Sequence, residues 1–247
     1  MARQKLGQHF LASESILKRI AEAACPRADE LVIEIGPGRG ALTRHLLERA
    51  AQVVAVELDA DLAEGLRREF ANQPRLQVVE QDVLEFDFGA FGPATITGNL
   101  PYYITSPILD RTVRRRPPRA VFLMQKEVAE RLTAKPGQRE YGFLTVRTAV
   151  FAQARKLFDV KPASFRPPPK VDSSVVLLEP CAQELEPREA DRLVDFMGLC
   201  FRQKRKTIRN NLADRYGRTV DSWPEAGARA EQLTLEQFRA MASRAES

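Results

Sequence analysis

Short runs of β-branched residues alternate with segments of helical period along most of this chain, and this alternation constrains the fold most strongly. In chain order the runs are LVIEIG, QVVAVE, LQVVE, ATITG, AVFLMQ and SSVVLLE. One intervening helix face is marked by Leu42, Leu46, Leu47 and Ala50, and Ser13 is placed to cap a helix that carries Ile16, Leu17 and Ile20. The pattern predicts an α/β fold built from βαβ units on a mostly parallel sheet.

Composition narrows the class of protein. The chain has 247 residues, of which 44% are hydrophobic, enough to form a buried core. Basic residues outnumber acidic ones by 38 to 33, a formal charge of +5, which permits a polyanionic partner. The cysteines and histidines lack metal-ligand spacing, and no apolar run reaches the ~18 residues of a membrane span. We therefore expect a reduced, metal-free cytosolic protein without a targeting segment.

The last part of the chain differs in composition from the rest. The proline-rich stretch FRPPPKV at 165–171 leads into the last apolar run, and after Pro180 the sequence becomes charged and helical. This change predicts a domain boundary near 180 to 187, with an α/β domain over 1–182 and a small helical domain over 183–247.

A glycine-rich turn follows the first strand. The stretch EIGPGRGALT contains Gly36 and Gly38, which allow a ligand to lie against the backbone at the carboxyl edge of the sheet. Glu57 ends the next strand, 21 residues after Gly36, where a carboxylate can accept hydrogen bonds from ribose hydroxyls. The pattern suits NAD and S-adenosylmethionine equally, and a purely structural turn is a third interpretation.

The third strand end adds a polar residue that favours one of these cofactors. Asp82 follows LQVVE and can accept a hydrogen bond from an adenine amino group, while Val83 covers the ring; a turn or capping aspartate is the alternative. The ends of three successive strands would then bind one adenosine together. The stretch NLPYYI, residues 99–104, follows the fourth strand and occupies the position towards which a methyl-donating cofactor would point.

Nine segments in this order resemble the ribosomal RNA adenine dimethyltransferases of the small-subunit type. They are GQHFL, EIGPGRGALT, VELD, QDVLEFD, NLPYYITSPIL, QKEVAERL, FRPPPKVDSSVV, FRQKRKTIRNNL and RAEQLTLEQF. The resemblance implies a Rossmann-like S-adenosylmethionine-binding catalytic domain over 1–182, with an N-terminal segment that closes over the cofactor, and a small helical RNA-binding domain over 183–247. It also implies that two adjacent adenosines near the 3′ end of small-subunit RNA each receive two methyl groups on N6.

Three further functions stay open beside this one. The related resistance methylases of large-subunit RNA differ in their C-terminal sequence, which makes them the second choice. A non-catalytic RNA-binding assembly factor could keep the fold, but intact Glu57, Asp82 and NLPY argue against it. A hydride-transferring NAD enzyme is the third, since the glycine turn alone does not exclude it.

The resemblance assigns cofactor positions residue by residue. Gly36, Glu57, Asp82 and Asn99 match the family's pattern, while His9 and Leu11 lie in a segment that closes over the methionine end of the cofactor. Many relatives carry Asn in place of His9. A backbone contact would make this change harmless, whereas a side-chain contact would put the assignment in doubt, and an ordinary surface residue is the other interpretation.

The reaction itself suggests roles for the acceptor residues. An adenine amino group is a poor nucleophile because its lone pair is delocalised, and hydrogen-bond acceptors on both N–H bonds would rotate the pair out of conjugation. The side-chain oxygen of Asn99 and the backbone carbonyl of Leu100 are the candidates, with Pro101 fixing the local backbone. Tyr102 offers a stacking face for the base, and Phe165 resembles a second wall of that pocket. Core packing is the alternative for the aromatics, and it is favoured more for Tyr103 than for Tyr102.

Two basic runs are candidates for phosphate binding, although such runs are often solvated faces. The first contains Arg111, Arg114, Arg115, Arg116 and Arg119, and the second contains Arg202, Lys204, Arg205, Lys206 and Arg209. If FRQKRKTIRNNL is one helix, its cations gather on one side. The resemblance implies ribosomal RNA in an assembling 30S particle as the partner, and we expect a monomer.

Overall fold

The computed structural model describes residues 9–28, 30–182 and 185–246. The chain divides into two compact units, one formed by Met1–Ala129 with Arg155–Pro180 and the other by Glu130–Ala154 with Cys181–Ser247. The second unit thus contains a segment from the middle of the chain as well as the C-terminal helices. The assignment of 1–182 to cofactor binding and of 183–247 to RNA binding stays a prediction.

Strands and helices alternate through the first two thirds of the chain, as the sequence predicts. In chain order these elements are β1 (Phe10–Leu11), α1 (Glu14–Ala24), β2 (Leu31–Ile35), α2 (Ala41–Leu47), β3 (Gln52–Glu57), α3 (Ala60–Glu69), β4 (Leu76–Glu80), β5 (Thr95–Asn99), α4 (Thr105–Arg114), β6 (Ala120–Gln125), α5 (Lys126–Thr133), α6 (Phe143–Ala149), β7 (Ala152–Val160), β8 (Phe165–Arg166) and β9 (Ser173–Pro180). The remaining helices are α7 (Pro187–Cys200), α8 (Ile208–Tyr216) and α9 (Leu235–Glu246).

The central sheet has the mostly parallel arrangement predicted from the βαβ pattern. Among the described residues it has seven strands in the order β4-β3-β2-β5-β6-β9-β7. The pairs β2–β3, β2–β5, β3–β4 and β5–β6 are parallel, whereas β9 runs antiparallel to β6. The carboxyl ends of β2, β3, β4 and β5 therefore meet at one edge, where an α/β sheet binds its ligands. The fold is α/β, as predicted.

The strand β7 was not predicted from the sequence. Its residues, AQARKLFDV, alternate irregularly between buried and exposed positions and include Arg155 and Lys156. β7 is the last strand in the sheet order, and an edge strand commonly carries charged side chains that weaken its apolar signal. The short antiparallel pair β1–β8 was missed as well, because two residues are too few to form a pattern.

The core of the first unit explains why its strands read as continuous apolar runs. Val32 and Ile33 point to opposite faces of the sheet, and both are 0% exposed, so both faces are covered. The predicted apolar face of α2 is buried against the apolar face of α1. Ser13 occupies the N-cap position of α1 as predicted, but its hydroxyl lies 3.3 Å from the Ser15 hydroxyl and does not cap the backbone.

The basic segment in the second unit is not one helix, so the expected gathering of its cations on one helix face is wrong. Helix α7 ends at Cys200 and α8 begins at Ile208, with Thr207 at its N-cap. The side chain of Asn211 binds the intervening turn, donating to the carbonyl of Cys200 (2.8 Å) and accepting from the backbone N–H of Gln203 (3.0 Å). These bonds stabilise the turn in place of a continuous helix.

No helix in the described part of the chain is both long enough and apolar enough to cross a lipid bilayer.

Candidate active site

The glycine turn after β2 has the backbone conformation that only glycine adopts easily. Gly36 and Gly38 have φ of +62° and +59°. A Cβ placed on Gly36 would meet no atom within 4 Å, so its backbone is open to a ligand. A Cβ on Gly38 would lie 2.9 Å from the ring of Phe10. The turn therefore has two functions, since Gly36 leaves space and Gly38 allows Phe10 to pack against it.

Glu57 connects two of the predicted strand ends. Its carboxylate is only 6% exposed, and Oε2 accepts a hydrogen bond from the backbone N–H of Gly38 at 3.0 Å. The other oxygen, Oε1, accepts from the N–H groups of Leu58 (2.9 Å) and Asp59 (3.1 Å). A carboxylate has about four acceptor positions, so this arrangement fixes the glycine turn and still leaves acceptor capacity for a hydroxyl.

Asp82 combines the two roles that the sequence left open. Its Oδ1 accepts from the N–H of Leu84 at 2.8 Å and closes a turn, as the capping alternative proposed. In the part of the chain that the structure describes, Oδ2 makes no hydrogen bond and can accept one from a ligand. Val83 beside it is 8% exposed. The cofactor role of both residues stays a prediction.

Leu58 is a residue of this edge that sequence reasoning missed. It directly follows Glu57 and is 45% exposed, although most large apolar side chains of the first unit are buried. Leu58 is therefore an exposed apolar side chain next to the carboxylate that is predicted to bind ribose. The available signal was an apolar residue immediately after the acidic strand end, where a polar turn residue is more usual.

The N-terminal strand closes onto the acceptor side of the site. Asn99 donates from Nδ2 to the backbone carbonyl of His9 at 3.0 Å, and His9 Nδ1 lies 2.8 Å from the carbonyl oxygen of Pro167. Strand β1 pairs with β8 through Leu11 and Phe165. His9 therefore contacts Asn99 through its backbone and Pro167 through its side chain. Its assignment as a cofactor-binding residue stays a prediction.

Gly98, just before Asn99, is a second residue that the sequence did not single out. Its φ is +159°, and a Cβ built on it would lie 2.4 Å from the carbonyl oxygen of Ile35. Strands β5 and β2 approach each other so closely that only glycine fits. This contact fixes where Asn99 leaves the sheet. The signal was a glycine inside an apolar strand, which marks a close backbone approach.

The residues after Asn99 form a compact turn. The N–H of Leu100 donates to the carbonyl of Leu123 at 2.9 Å, and the Leu100 side chain is 1% exposed. The Pro101 carbonyl accepts from the Thr105 hydroxyl at 2.9 Å. Tyr102 is half-buried, with its hydroxyl 3.3 Å from Ser173 Oγ and its ring 6.1 Å from the His9 ring.

Two expectations for the aromatic residues are corrected. Tyr103 is 57% exposed, so the expectation that it packs in the core more readily than Tyr102 was wrong. Phe165 is 0% exposed and belongs to the core cluster that contains Leu11 and Leu17. Its pairing with Leu11 in the β1–β8 ladder directs the ring into the core, so Phe165 does not form an open wall for a base. The alternation of a two-residue strand decides this direction, and the sequence cannot show it.

A pocket joins the glycine turn to the acceptor residues. The predicted residues among its lining are Leu11, Gly36 and Asn99, and it also contains Glu34, which the sequence analysis did not use. Glu34 is 2% exposed and accepts a hydrogen bond from the Thr43 hydroxyl at 2.6 Å. The pKa of Glu34 is raised to about 8, chiefly by burial; the Thr43 hydrogen bond opposes this rise and the charge of nearby Glu57 adds to it.

The first basic run is largely engaged by the fold. Arg111 donates from Nη2 to the Phe86 carbonyl at 2.8 Å, and Arg115 pairs with Asp87. Arg114 pairs with Asp110 one helical turn away, at 3.2 Å. Arg111 and Arg115 thereby support the loop that follows Asp82. Arg115 keeps a side-chain exposure of 52%, so a phosphate could still reach it.

The second basic run is more accessible. Arg205 and Lys206 are exposed in the turn between α7 and α8. Their neighbours are paired, since Arg202 lies 3.5 Å from Asp214 and Arg209 lies 2.8 Å from Asp221. The phosphate-binding role of Arg114, Arg115, Arg205 and Lys206 stays a prediction.

Comparison with known proteins connects this geometry to a family. The family described as "Ribosomal RNA adenine dimethylase" matches residues 1–246. The chain is 44% identical to a protein of Synechococcus sp. over 86% of this chain and 82% of that one, and 41% identical to a protein of Acidobacterium capsulatum over 97% and 89%. Both proteins are named "Ribosomal RNA small subunit methyltransferase A".

Solved structures agree with this grouping. The 23S rRNA methyltransferase ErmE is 32% identical with a TM-score of 0.78, over 96% of this chain and 100% of that one. A dimethyladenosine transferase from Plasmodium falciparum is 26% identical with a TM-score of 0.81, over 96% and 98%. From the family match over nearly its whole length and these identities, the chain belongs to the ribosomal RNA adenine dimethylase family.

Proposed function

We propose that the protein transfers methyl groups from S-adenosylmethionine to N6 of two adjacent adenosines in the 3′-terminal hairpin loop of small-subunit ribosomal RNA, and dimethylates each. The observation that carries the proposal is the hydrogen bond from Asn99 Nδ2 to the His9 carbonyl. Because the amide donates to a carbonyl, its oxygen is the atom left to accept a hydrogen bond from the substrate amino group.

The residues at the sheet edge fit the cofactor. Gly36 leaves its backbone open, Glu57 presents a carboxylate for ribose hydroxyls, and Asp82 has an oxygen for the adenine amino group. Leu58 and Val83 supply apolar surface for the ring. S-adenosylmethionine, when bound, supplies a methyl group activated on a positively charged sulfur. Asn99, in the same pocket as Gly36, lies at the end of this series of strand ends.

The chain itself activates and positions the adenine amino group. Asn99 Oδ1 and the Leu100 carbonyl oxygen accept hydrogen bonds from the two N–H groups of the adenine amino group. The nitrogen lone pair then rotates out of conjugation with the ring. The Leu100 N–H bond to Leu123 and the burial of the Leu100 side chain hold this carbonyl in position. No strong base is needed, because the proton leaves only after the positively charged adduct forms. Positioning is therefore the main catalytic device.

Tyr102 is the stacking residue for the reacting base. Its ring is half-buried and its hydroxyl bonds to Ser173, so its orientation is restrained before substrate arrives. Stacking of one base on an aromatic ring stabilises the extruded state by roughly 1–3 kcal/mol. Phosphates along the RNA bind to Arg114 and Arg115 in the first unit and to Arg205 and Lys206 in the second.

Small-subunit RNA is favoured over large-subunit RNA as the substrate. The relatives named for the small subunit are 41–44% identical to this chain, whereas the 23S enzyme ErmE is 32% identical. In this proposal the partner is an assembling 30S particle in the cytoplasm, and the protein acts as a monomer without a metal. A non-catalytic role is disfavoured because the acceptor residues are intact and assembled.

The test is mass mapping of RNA after incubation of the purified protein and S-adenosylmethionine with undermethylated small subunits. We expect two adjacent adenosines to gain two methyl groups each. Undermethylated large subunits are one control and should stay unmethylated; the variant Asn99→Ala is the other and should methylate small subunits far more slowly than the wild type does. Methylation confined to large-subunit RNA would support the resistance-type activity instead, and absence of any methylation with intact RNA binding would support an assembly factor.

A further inference from the structure

The exposed large apolar side chains of the described residues are concentrated at one edge of the sheet. They are Leu58 (45% exposed), Tyr103 (57%) and Val171 (46%). Leu58 directly follows β3 and Tyr103 follows β5 by four residues. Val171 lies two residues before Ser173, which pairs with Gln125 at the end of β6. All three side chains therefore lie at the sheet edge that carries the candidate active site, where they are accessible to a ligand.

Tyr103 differs from Tyr102 in what surrounds its ring. Tyr102 bonds to Ser173 and lies beside the His9 ring, whereas Tyr103 makes no ring contact with any described residue. Its exposure is also the largest of the three apolar side chains at this edge. Leu58 belongs with the cofactor residues and Tyr102 with the reacting base, so neither function accounts for Tyr103.

The substrate chemistry supplies a partner for this ring. When one base of an RNA loop is extruded, its neighbour loses a stacking partner and exposes a face. A tyrosine ring can replace that partner for any base, since every base has a π-face. Resting on the proposed function, we propose that Tyr103 is the stacking platform for the unpaired base next to the reacting adenine. With two adjacent target adenosines, one stacks on Tyr103 while the other reacts.

The first measurement is the affinity of the protein for a synthetic RNA hairpin with two adjacent loop adenosines, without cofactor. Tyr103→Ala should weaken binding roughly 5- to 150-fold, the range that corresponds to one stacked base. Tyr103→Phe keeps the ring and should bind as the wild type does, and Tyr103→Leu, which keeps apolar area without a π-face, should lie between them. The slope of log affinity against log salt should not change, because no phosphate contact is removed.

The second measurement identifies the base. A hairpin with an abasic nucleotide beside the reacting adenosine should bind the wild type about as weakly as Tyr103→Ala binds the intact hairpin. The abasic hairpin should bind the variant no more weakly than the intact hairpin does. Equal affinities of wild type and Tyr103→Ala for the intact hairpin would overturn the proposal. If Tyr103→Ala weakened the binding of the intact and the abasic hairpin by the same factor, that would also overturn the proposal.

The outcome is separable from that of the proposed function. If the wild type fails to methylate the RNA, the methyltransfer proposal fails, whereas the stacking proposal is measured by cofactor-free affinity alone. Cofactor affinity, measured by calorimetry, should be the same for Tyr103→Ala and the wild type. A weaker cofactor affinity in the variant would show that Tyr103 supports the cofactor site, which would contradict the assignment to RNA.

Discussion

Two neighbouring parts of the candidate site are built differently. The cofactor edge, formed by Gly36, Gly38, Glu57 and Asp82, is held by backbone hydrogen bonds, with Glu57 alone accepting three. The loop proposed to bind the acceptor base, residues 99–103 (the acceptor loop), leaves groups without partners: within the described chain Asn99 Oδ1 has no hydrogen bond, and Tyr103 is 57% exposed. Changes at the cofactor edge should therefore affect fold and function together, and changes in the acceptor loop should affect function almost alone.

The largest expected effect is that of Asn99→Ala, which tests the acceptor loop. Turnover should fall roughly 10²-fold or more, by analogy with the loss of one preorganised hydrogen-bonding group. The free energy of unfolding should fall by about 1 kcal/mol, because the described bond of Asn99 is the one to His9. Single-turnover kinetics measure the rate and denaturant unfolding measures the stability. Asn72→Ala, at an exposed position, is the control. Weak RNA binding with normal single-turnover chemistry would contradict the catalytic role.

Glu57→Gln tests the cofactor edge. The amide nitrogen would face a backbone N–H in place of an acceptor, so the free energy of unfolding without cofactor should fall by roughly 2 kcal/mol. Glu80→Gln is a matched control, because Glu80 lies opposite Glu57 in the β3–β4 register but is exposed. Urea unfolding of the cofactor-free proteins gives the comparison. Unchanged stability of Glu57→Gln would show that the bonds at this edge do not support the fold.

Asp82 allows the two roles at the cofactor edge to be separated. Asp82→Ala removes both the turn bond to Leu84 and the ligand acceptor, so stability and cofactor affinity should both fall. Asp82→Asn keeps an oxygen for the turn and replaces the charged acceptor, so cofactor affinity should fall about 10-fold with little change in stability. Calorimetry with S-adenosylhomocysteine measures the affinity. Equal cofactor affinity in wild type and both variants would exclude Asp82 from the cofactor site.

The exposed turn between α7 and α8 in the second unit should behave differently from both the cofactor edge and the acceptor loop. The double change Arg205→Ala with Lys206→Ala should flatten the plot of log RNA affinity against log salt by about 1.5, since each phosphate contact contributes roughly 0.7 to 0.9. Arg67→Ala with Arg68→Ala removes the same charge from α3 and is the control. RNA binding over a salt series decides the question. An unchanged slope with a lower melting temperature would mean that the turn supports the fold and not the substrate.

A separate expected effect is a dependence of the free energy of unfolding on pH. The pKa of Glu34 is about 8 in the folded state and about 4.5 in its ordinary environment. Between these values the native state binds more protons, so the free energy of unfolding should decrease as the pH rises from about 5 to 8. Its contribution is complete below the lower value and is lost as the pH passes the higher one. Glu34→Gln should remove this part of the dependence of unfolding free energy on pH. An unchanged dependence in the variant would show that it does not come from Glu34.

Much of the fold followed from local pattern. Apolar runs predicted the strands β2, β3, β4, β5, β6 and β9. Four of them, β2, β3, β5 and β6, are buried parallel strands, which read as continuous hydrophobic segments. Strand β7 and the break between α7 and α8 were not foreseen. The sequence signal of β7 is weak because β7 is an edge strand. The break between α7 and α8 depends on Asn211, whose side chain binds the turn that precedes it. Such bonds have no periodicity.

The sequence by itself determined the α/β fold, the order of residues along the sheet edge and, through nine segments in register, the family to which the chain belongs. The tertiary structure alone decided which side chains are exposed. Phe165 is buried because its two-residue strand pairs with Leu11, and Tyr103 is exposed in the turn between β5 and α4. Both outcomes depend on contacts between residues distant in sequence, such as that of Asn99 with His9, which local pattern does not specify.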